Sequence, residues 1–121
     1  MQKKIMLVDD EKDIREILKA ILENEGYSIT EASDGQQGFE KAALEKPDLI
    51  ILDIMMPVLD GFGAAEKLKT NKDTFGIPII MLTAKDEPVD KEKAIALGVN
   101  TFIVKLFDLE ELRHTVKEVL G

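Results

Sequence analysis

Five polar side chains stand at the carboxyl ends of short apolar runs, where they could take part in one reaction. Asp9 and Asp10 follow KIMLV, Asp53 follows DLIIL, Thr83 follows IPIIML, and Lys105 closes NTFIVK. Three carboxylates gathered at one place repel one another, and a divalent cation such as Mg²⁺ relieves the crowding in an all-oxygen site. A nucleophilic carboxylate, two metal-holding acids, a hydroxyl and an ammonium are the parts needed to transfer a phosphoryl group to a carboxylate.

Each of these residues also has an ordinary structural explanation. Asp10 could be a helix N-cap, Thr83 could bond to the backbone at a strand end, and Lys105 could extend its ammonium to solvent. Helix caps do not require three carboxylates at one place, however, so the set as a whole favours a functional pocket. This interpretation depends on a fold that brings the ends of the runs together.

The apolar runs predict a sheet of parallel strands. They lie at 4–8, 27–32, 48–52, 77–82 and 100–105. The first, third, fourth and fifth runs are almost continuously apolar, which predicts strands buried on both faces, whereas the second alternates as an edge strand does.

The segments between the runs predict helices. Two apolar stripes are well marked, one at Ile14, Ile17, Leu18, Ile21 and Leu22 with Gly26 as its cap, the other at Leu109, Leu112, Val116, Val119 and Leu120 with Asp108 as its N-cap. Helices over 35–45, 61–71 and 88–98 have weaker signals and are predicted partly because parallel strands require crossovers. We therefore expect a doubly wound α/β sheet with helices on both faces and its polar residues at the carboxyl edge.

Length and composition restrict the class of protein. The 121 residues predict one domain over 1–121, without an internal linker. The net charge of -8 argues against binding nucleic acid or anionic membrane through overall charge. There is no cysteine, no apolar run approaching the roughly 20 residues of a membrane span, and no cleavable signal, so we expect a cytoplasmic protein.

Four segments of the sequence resemble the receiver domains of bacterial two-component response regulators, close to the stand-alone chemotaxis type. They are LVDDE (7–11), DLIILDIMMPVLDGF (48–62), IPIIMLTA (77–84) and GVNTFIVK (98–105). The resemblance covers essentially the whole chain. It implies a flavodoxin-like fold, with a five-stranded parallel sheet of order 2-1-3-4-5 and five helices.

The resemblance also implies how the acidic residues divide the work. Asp53 would be the phosphorylated residue. Asp10 would hold Mg²⁺ directly, Asp9 would do so largely through water, and the backbone carbonyl of Met55 would supply a further ligand.

The remaining positions of the family pattern concern the phosphoryl oxygens and the conformational switch. The hydroxyl of Thr83, the backbone N–H of Ala84 and the amine of Lys105 would bind the oxygens. Phe102 occupies the aromatic switch position, where a ring turns inward once Thr83 moves towards the phosphoryl group. A core aromatic residue on the fifth strand is the competing interpretation of Phe102.

Leu106 departs from the family pattern, which usually has proline after the lysine with a cis peptide bond between them. A cis bond costs about 2.5–4 kcal/mol before a residue other than proline, against about 0.5–1 kcal/mol before proline. We expect a trans bond at Leu106, a re-formed loop, and a perturbed aim of Lys105. Lys85 and Met55, beside the pocket, are the expected positions for tuning the lifetime of the phosphoryl group.

The function implied is that of a signalling domain, not a turnover enzyme. A sensor histidine kinase or phosphotransfer protein would donate the phosphoryl group. A downstream protein would bind the face formed by helix four, strand five and helix five, roughly residues 86–120. The chain would be a stand-alone regulator or an excised receiver, and a monomer or a phosphorylation-dependent dimer.

Three other functions compete with this one. A phosphatase with an aspartyl-phosphate intermediate generally needs a second Asp two residues after the first, where this chain has Met55. An interaction module with an inactive pocket is weakened by the five matching polar positions. A nucleotide-binding role is weakened because the sequence contains neither the G-x-x-x-x-G-K-[ST] nor the G-x-G-x-x-G pattern.

His114, the single histidine, is predicted to lie on the solvated surface.

Overall fold

A parallel sheet with helices on both faces forms the domain in the computed structural model, which describes residues 2–84, 91–105 and 108–121. The elements alternate along the chain as β1 (Lys4–Val8), α1 (Lys12–Asn24), β2 (Ser28–Ala32), α2 (Gly35–Glu45), β3 (Leu49–Asp53), α3 (Gly61–Thr70), β4 (Ile79–Thr83), α4 (Lys91–Ala96), β5 (Thr101–Val104) and α5 (Leu109–Leu120). The five strands lie in the order β2-β1-β3-β4-β5. The predicted fold class and strand order are confirmed.

The three inner strands form the core because every residue in them but one is fully buried. β3 and β4 are buried throughout, and β1 is buried after Lys4. Their alternate side chains form two apolar clusters, one on each face of the sheet. Leu18 and Leu22 of α1 and Leu112 and Val116 of α5 complete one cluster. Small residues of α2, α3 and α4, such as Ala42, Ala64 and Ala94, complete the other.

β5 differs from its prediction. Its residues are almost continuously apolar, but it lies at the edge of the sheet, with Thr101 and Phe102 half-buried and Val104 44% exposed. Apolar composition alone therefore does not distinguish this edge strand from an inner one. Two residues of the predicted helical stripes, Ile17 and Leu109, are likewise 51% and 44% exposed.

The helix ends follow the predicted signals in part. Asp108 caps α5 by accepting the N–H of Glu110 at 2.8 Å. Gly26 follows α1 with φ of +95° and donates its N–H to the carbonyl of Glu23. α1 begins after Glu11, which makes no side-chain cap, so Asp10 is not used as the N-cap that its position could suggest.

Gly61 allows α3 to begin against the end of β3. A Cβ at this position would lie 2.6 Å from both the carbonyl oxygen of Asp53 and the Cα of Ile54. Its N–H donates to the carbonyl of Ile54 at 2.8 Å, and Asp60 caps the helix. A glycine is therefore required for the loop that leaves Asp53 to return directly over it.

Candidate functional site

The end of β1 places two adjacent acids at the carboxyl edge of the sheet. Asp9 is 1% exposed, and its Oδ1 accepts the N–H of Glu11 at 2.9 Å. Its own N–H donates to the carbonyl of Ala32 on β2 at 3.2 Å. Asp10 is exposed. Within the described residues, Asp9 Oδ2 is buried and has no hydrogen-bond donor.

Asp53, the last residue of β3, lies beside Asp9 because Val8 and Leu52 are aligned in the parallel β1–β3 pair. It is 1% exposed. Neither of its carboxylate oxygens has a hydrogen-bond partner in the described part of the chain. Buried polar atoms are normally bonded, so two such oxygens on one side chain indicate a group arranged for something that the protein itself does not supply.

Lys105 approaches these carboxylates from the end of β5. Its Nζ lies 3.0 Å from Glu11 Oε1, 3.2 Å from Asp53 Oδ1 and 3.7 Å from Asp9 Oδ2. The contact with Asp53 is an ion pair. The backbone N–H of Lys105 donates to the carbonyl of Thr83 at 2.6 Å, which fixes where the side chain starts. The lysine therefore points across the edge of the sheet into the acidic pocket.

Burial and crowding raise the pKa of both buried acids. Burial and the neighbouring charge of Asp9 raise the pKa of Asp53 to about 7, although the ammonium of Lys105 opposes the shift. Burial also raises the pKa of Asp9, against the opposing effects of the Glu11 N–H and Lys105. Burial lowers the pKa of Lys105, but the bond to Glu11 and the charges of Asp53 and Asp9 outweigh it and raise the value. The pocket thus holds the protonated amine of Lys105 beside two carboxyl groups, those of Asp9 and Asp53, whose ionisation is disfavoured.

Oxygen atoms of Asp9, Asp10, Glu11 and Asp53 all lie within 4.8 Å of one another. Hard cations such as Mg²⁺ prefer such oxygen donors. The three buried carboxylate oxygens without a donor are available to a cation, so the residues present fit Mg²⁺.

Glu11 was not among the predicted site residues. Its side chain is 58% exposed, and the sequence shows it only as the third acid of a DDE run. That run could have indicated a third acid near the site. The sequence could not indicate that Glu11 pairs with Lys105, because the two residues are 94 positions apart and meet only in the folded chain.

The predicted switch residues lie on β4 and β5. Thr83, at the end of β4, is 6% exposed, and its hydroxyl donates to the carbonyl of Ala84 at 3.3 Å, not to Asp53. Phe102 pairs in register with Met81 and packs against the core cluster on the α2–α3–α4 face. Met55 is 64% exposed, and Ala84 is exposed.

Some predictions fall on parts of the chain outside the described residues. Leu106 and its peptide bond to Lys105, Lys85, and residues 86–90 of the proposed target-binding face are among them. His114 lies on the exposed surface of α5, 2.9 Å from Glu118. No helix in the described ranges is both long and apolar enough to cross a membrane.

Sequence and structure comparisons agree on one family. The family described as "Response regulator receiver domain" matches residues 5–117. The chain is 46% identical to the alkaline phosphatase synthesis transcriptional regulatory protein PhoP of Bacillus subtilis, over 99% of this chain and 49% of that protein. It spans about half the length of the curated relatives it matches.

Solved structures give the same result. The chemotaxis response regulator CheY4 of Vibrio cholerae superposes with a TM-score of 0.91 at 33% identity, covering 98% of this chain and 99% of that one. The receiver domain of the sensor histidine kinase PA1611 from Pseudomonas aeruginosa, solved with a magnesium ion in its active-site cleft, gives 0.91 at 30% identity, covering 100% and 99%.

Proposed function

The chain belongs to the response regulator receiver domain family, and we propose that it accepts a phosphoryl group on Asp53 from a histidine kinase or phosphotransfer protein. One observation carries this proposal. Asp53 is buried at the carboxyl end of a central strand with both oxygens lacking a hydrogen bond among the described residues, and a lysine ammonium lies 3.2 Å away. A helix cap would use these oxygens to accept backbone N–H groups, and Asp53 accepts none among the described residues.

The reaction would form one bond and break another at phosphorus. An oxygen of ionised Asp53 attacks the phosphorus, the new O–P bond forms, and the N–P bond to the donor histidine breaks, returning its electron pair to the imidazole nitrogen. Lys105 remains protonated throughout because its pKa is raised. Its ammonium offsets charge on the phosphoryl oxygens as they approach Asp53.

The acids that would hold Mg²⁺ are Asp9, Asp10 and Asp53, with the backbone carbonyl of Met55. When bound, Mg²⁺ would neutralise the carboxylates and polarise the phosphoryl oxygens. The magnesium ion in the active-site cleft of the PA1611 receiver supports this assignment. Glu11 would remain with Lys105, since its carboxylate already lies 3.0 Å from the ammonium.

Phosphorylation would act through Thr83, Ala84 and Phe102. The Thr83 hydroxyl is bonded to the neighbouring carbonyl, so it can exchange that bond for one to a phosphoryl oxygen. The Ala84 N–H would bind a second oxygen, and the Phe102 ring would turn further into the core as Thr83 moves. The shift would bias a two-state equilibrium and be read on the face of α4, β5 and α5 by a downstream protein.

The domain would hold the phosphoryl group without turning it over. Met55 stands where a phosphatase would carry its second acid, and it is 64% exposed. The name of the Bacillus relative, a transcriptional regulatory protein, supports a place in signalling. The net charge of -8 argues against nucleic acid as the ligand of this domain. The domain would act as a monomer or a phosphorylation-dependent dimer.

Intact mass after incubation with a small-molecule phosphodonor tests the proposal. We expect a gain of one phosphoryl group that requires Mg²⁺ and is absent in Asp53→Asn. An equal gain in Asp53→Asn, or none in the wild-type chain with Mg²⁺, contradicts it. Steady release of phosphate from a generic phosphomonoester, lost with Asp53→Asn, would instead indicate a phosphatase.

A further inference from the structure

Arg15 of α1 holds the beginning of the acidic segment 9–11 through its side chain, whose Nη1 donates to the backbone carbonyl of Asp9 at 2.7 Å. The other end of the segment is held by the backbone of α1, since the N–H of residue 15 donates to the carbonyl of Glu11 at 3.2 Å. Asp10 lies between these two anchored residues. Its exposed carboxylate makes no hydrogen bond within the described ranges, so the backbone of the segment decides where that carboxylate lies.

The guanidinium is itself held by a neighbouring strand. Arg15 Nε lies 3.1 Å from Glu31 Oε1 on β2, with the arginine side chain 15% exposed. The fork of an arginine can contact a carboxylate and a carbonyl at once, whereas a lysine offers a single charged atom. Arg15 therefore ties α1, the end of β1 and β2 together at the edge of the pocket.

We propose that Arg15 is a positioning residue for the divalent-cation site. It fixes the 9–11 segment so that the carboxylate of Asp10 stays within 4.8 Å of those of Asp9, Glu11 and Asp53. The inference rests on the proposed function, because it takes Mg²⁺ as the cation. Arg15 would not touch the ion.

The charge of Arg15 and its positioning role predict opposite changes in Mg²⁺ affinity when the residue is replaced. A nearby positive charge repels a cation, so removing Arg15 for its charge alone would tighten Mg²⁺ binding. If Arg15 fixes the ligands, its removal weakens binding. Substitution of groups that orient metal ligands typically weakens metal affinity by about 10- to 100-fold.

Lys19→Gln is the matched control. Lys19 is on the same helix, and its Nζ lies 3.7 Å from the other oxygen of Glu31, but among the described residues it makes no hydrogen bond or ion pair with Asp9. Replacing either residue by glutamine removes one positive charge from the same region. Arg15→Lys keeps the charge and removes the fork.

The experiment is a Mg²⁺ titration of the full 121-residue chain followed by backbone amide NMR shifts. We expect the Kd of Arg15→Gln to rise about tenfold, that of Lys19→Gln to stay within about twofold, and that of Arg15→Lys to lie between. At saturating Mg²⁺, the phosphorylation rate of Arg15→Gln should return to within about threefold of wild type.

Three outcomes overturn the inference. An unchanged or tighter Kd in Arg15→Gln, or equal weakening in Lys19→Gln, removes Arg15 from this role while leaving wild-type Mg²⁺ binding, and the proposed function, in place. If Arg15→Gln does not fold, the same criterion applies to Arg15→Lys. Absence of Mg²⁺ binding by the wild-type chain overturns the proposed metal site together with this inference.

Discussion

The acidic end of β1 and β3 and the β4–β5 half of the sheet satisfy their polar groups differently. At the acidic end, Asp9 and Asp53 are each 1% exposed, and three of their four carboxylate oxygens lack a hydrogen bond in the described part of the chain. On the other side, the Thr83 hydroxyl has a local partner, Phe102 is half-buried, and Val104 is 44% exposed. The first region therefore keeps buried carboxylate oxygens without a hydrogen bond, whereas the second has its hydroxyl bonded and its apolar side chains partly exposed.

The difference has an energetic consequence at the acidic end. Burial raises the pKa of both Asp9 and Asp53, so keeping these carboxylates ionised in the folded state costs stability. The comparison therefore indicates that buried charge without a hydrogen bond is concentrated at the ends of β1 and β3.

Lys105→Met should have the largest effect. The substitution removes the ammonium that faces Asp53 and Asp9, and loss of one charged or polar donor at a reacting centre costs about 10²–10³ in rate. We expect phosphorylation by a small-molecule donor to slow by that factor when followed by intact mass. Lys117→Met, on the exposed surface of α5, is the control and should react as wild type.

A phosphorylation rate for Lys105→Met within about threefold of wild type would contradict this prediction. It would mean that the carboxylates at the ends of β1 and β3 do not require the Lys105 ammonium for phosphorylation.

Asp53→Asn should stabilise the Mg²⁺-free protein at pH 8 by about 2 kcal/mol, because a raised pKa of about 7 means that ionised Asp53 disfavours the folded state. In the wild-type chain, the folded state keeps a proton on Asp53 that the unfolded state releases. The stability that this proton contributes to the wild-type chain is complete below pH 4 and is lost as the pH rises through 7. In EDTA, the wild-type melting temperature should therefore fall between pH 5 and pH 8 more steeply than that of Asp53→Asn.

If the melting temperatures of the two proteins change with pH in the same way, ionised Asp53 does not destabilise the folded state. Added Mg²⁺ sharpens the test, since it should raise the wild-type melting temperature at pH 8 more than that of Asp53→Asn.

Val58→Gly should raise stability by about 1 kcal/mol. Val58 has φ of +70° and is 84% exposed, and the N–H of Leu59 donates to the carbonyl of Pro57 across it at 2.8 Å, as in a γ-turn. A β-branched residue is strained there by about 1–3 kcal/mol, which glycine relieves while adding freedom to the unfolded chain. Urea unfolding measures the gain, and Val58→Ala should give little of it.

A loss of stability in Val58→Gly would contradict the view that this loop, which leaves Asp53, is held under strain.

Leu106→Pro should have the smallest effect, raising the phosphorylation rate about threefold and the melting temperature slightly. Lys105 already lies 3.2 Å from Asp53 with leucine in the chain, so little remains to be gained in its aim. Leu106→Ala removes the same side chain without the ring and should not reproduce the gain. If Leu106→Pro changes neither quantity, the hypothesis that leucine perturbs the lysine is wrong.

The apolar pattern of the sequence predicted a parallel sheet and the residues at its carboxyl edge, because strands buried on both faces are almost continuously apolar. The order of the strands came from the resemblance to receiver domains. It did not reveal the exposure of β5, since Phe102 and Ile103 are as apolar as inner-strand residues. Contacts between distant segments, such as Glu11 with Lys105, depend on packing that no periodicity encodes. The positive φ of Val58 was equally hidden, because valine normally avoids that region.

The most direct measurement is the position of the phosphoryl group itself. The protein is phosphorylated with Mg²⁺ and a small-molecule donor, the acyl phosphate is reduced with borohydride to homoserine, and the peptides are sequenced by mass spectrometry. The proposed function predicts homoserine at position 53. Homoserine at position 9 or 10 instead, or a phosphoryl group that resists reduction and maps to His114, would contradict it.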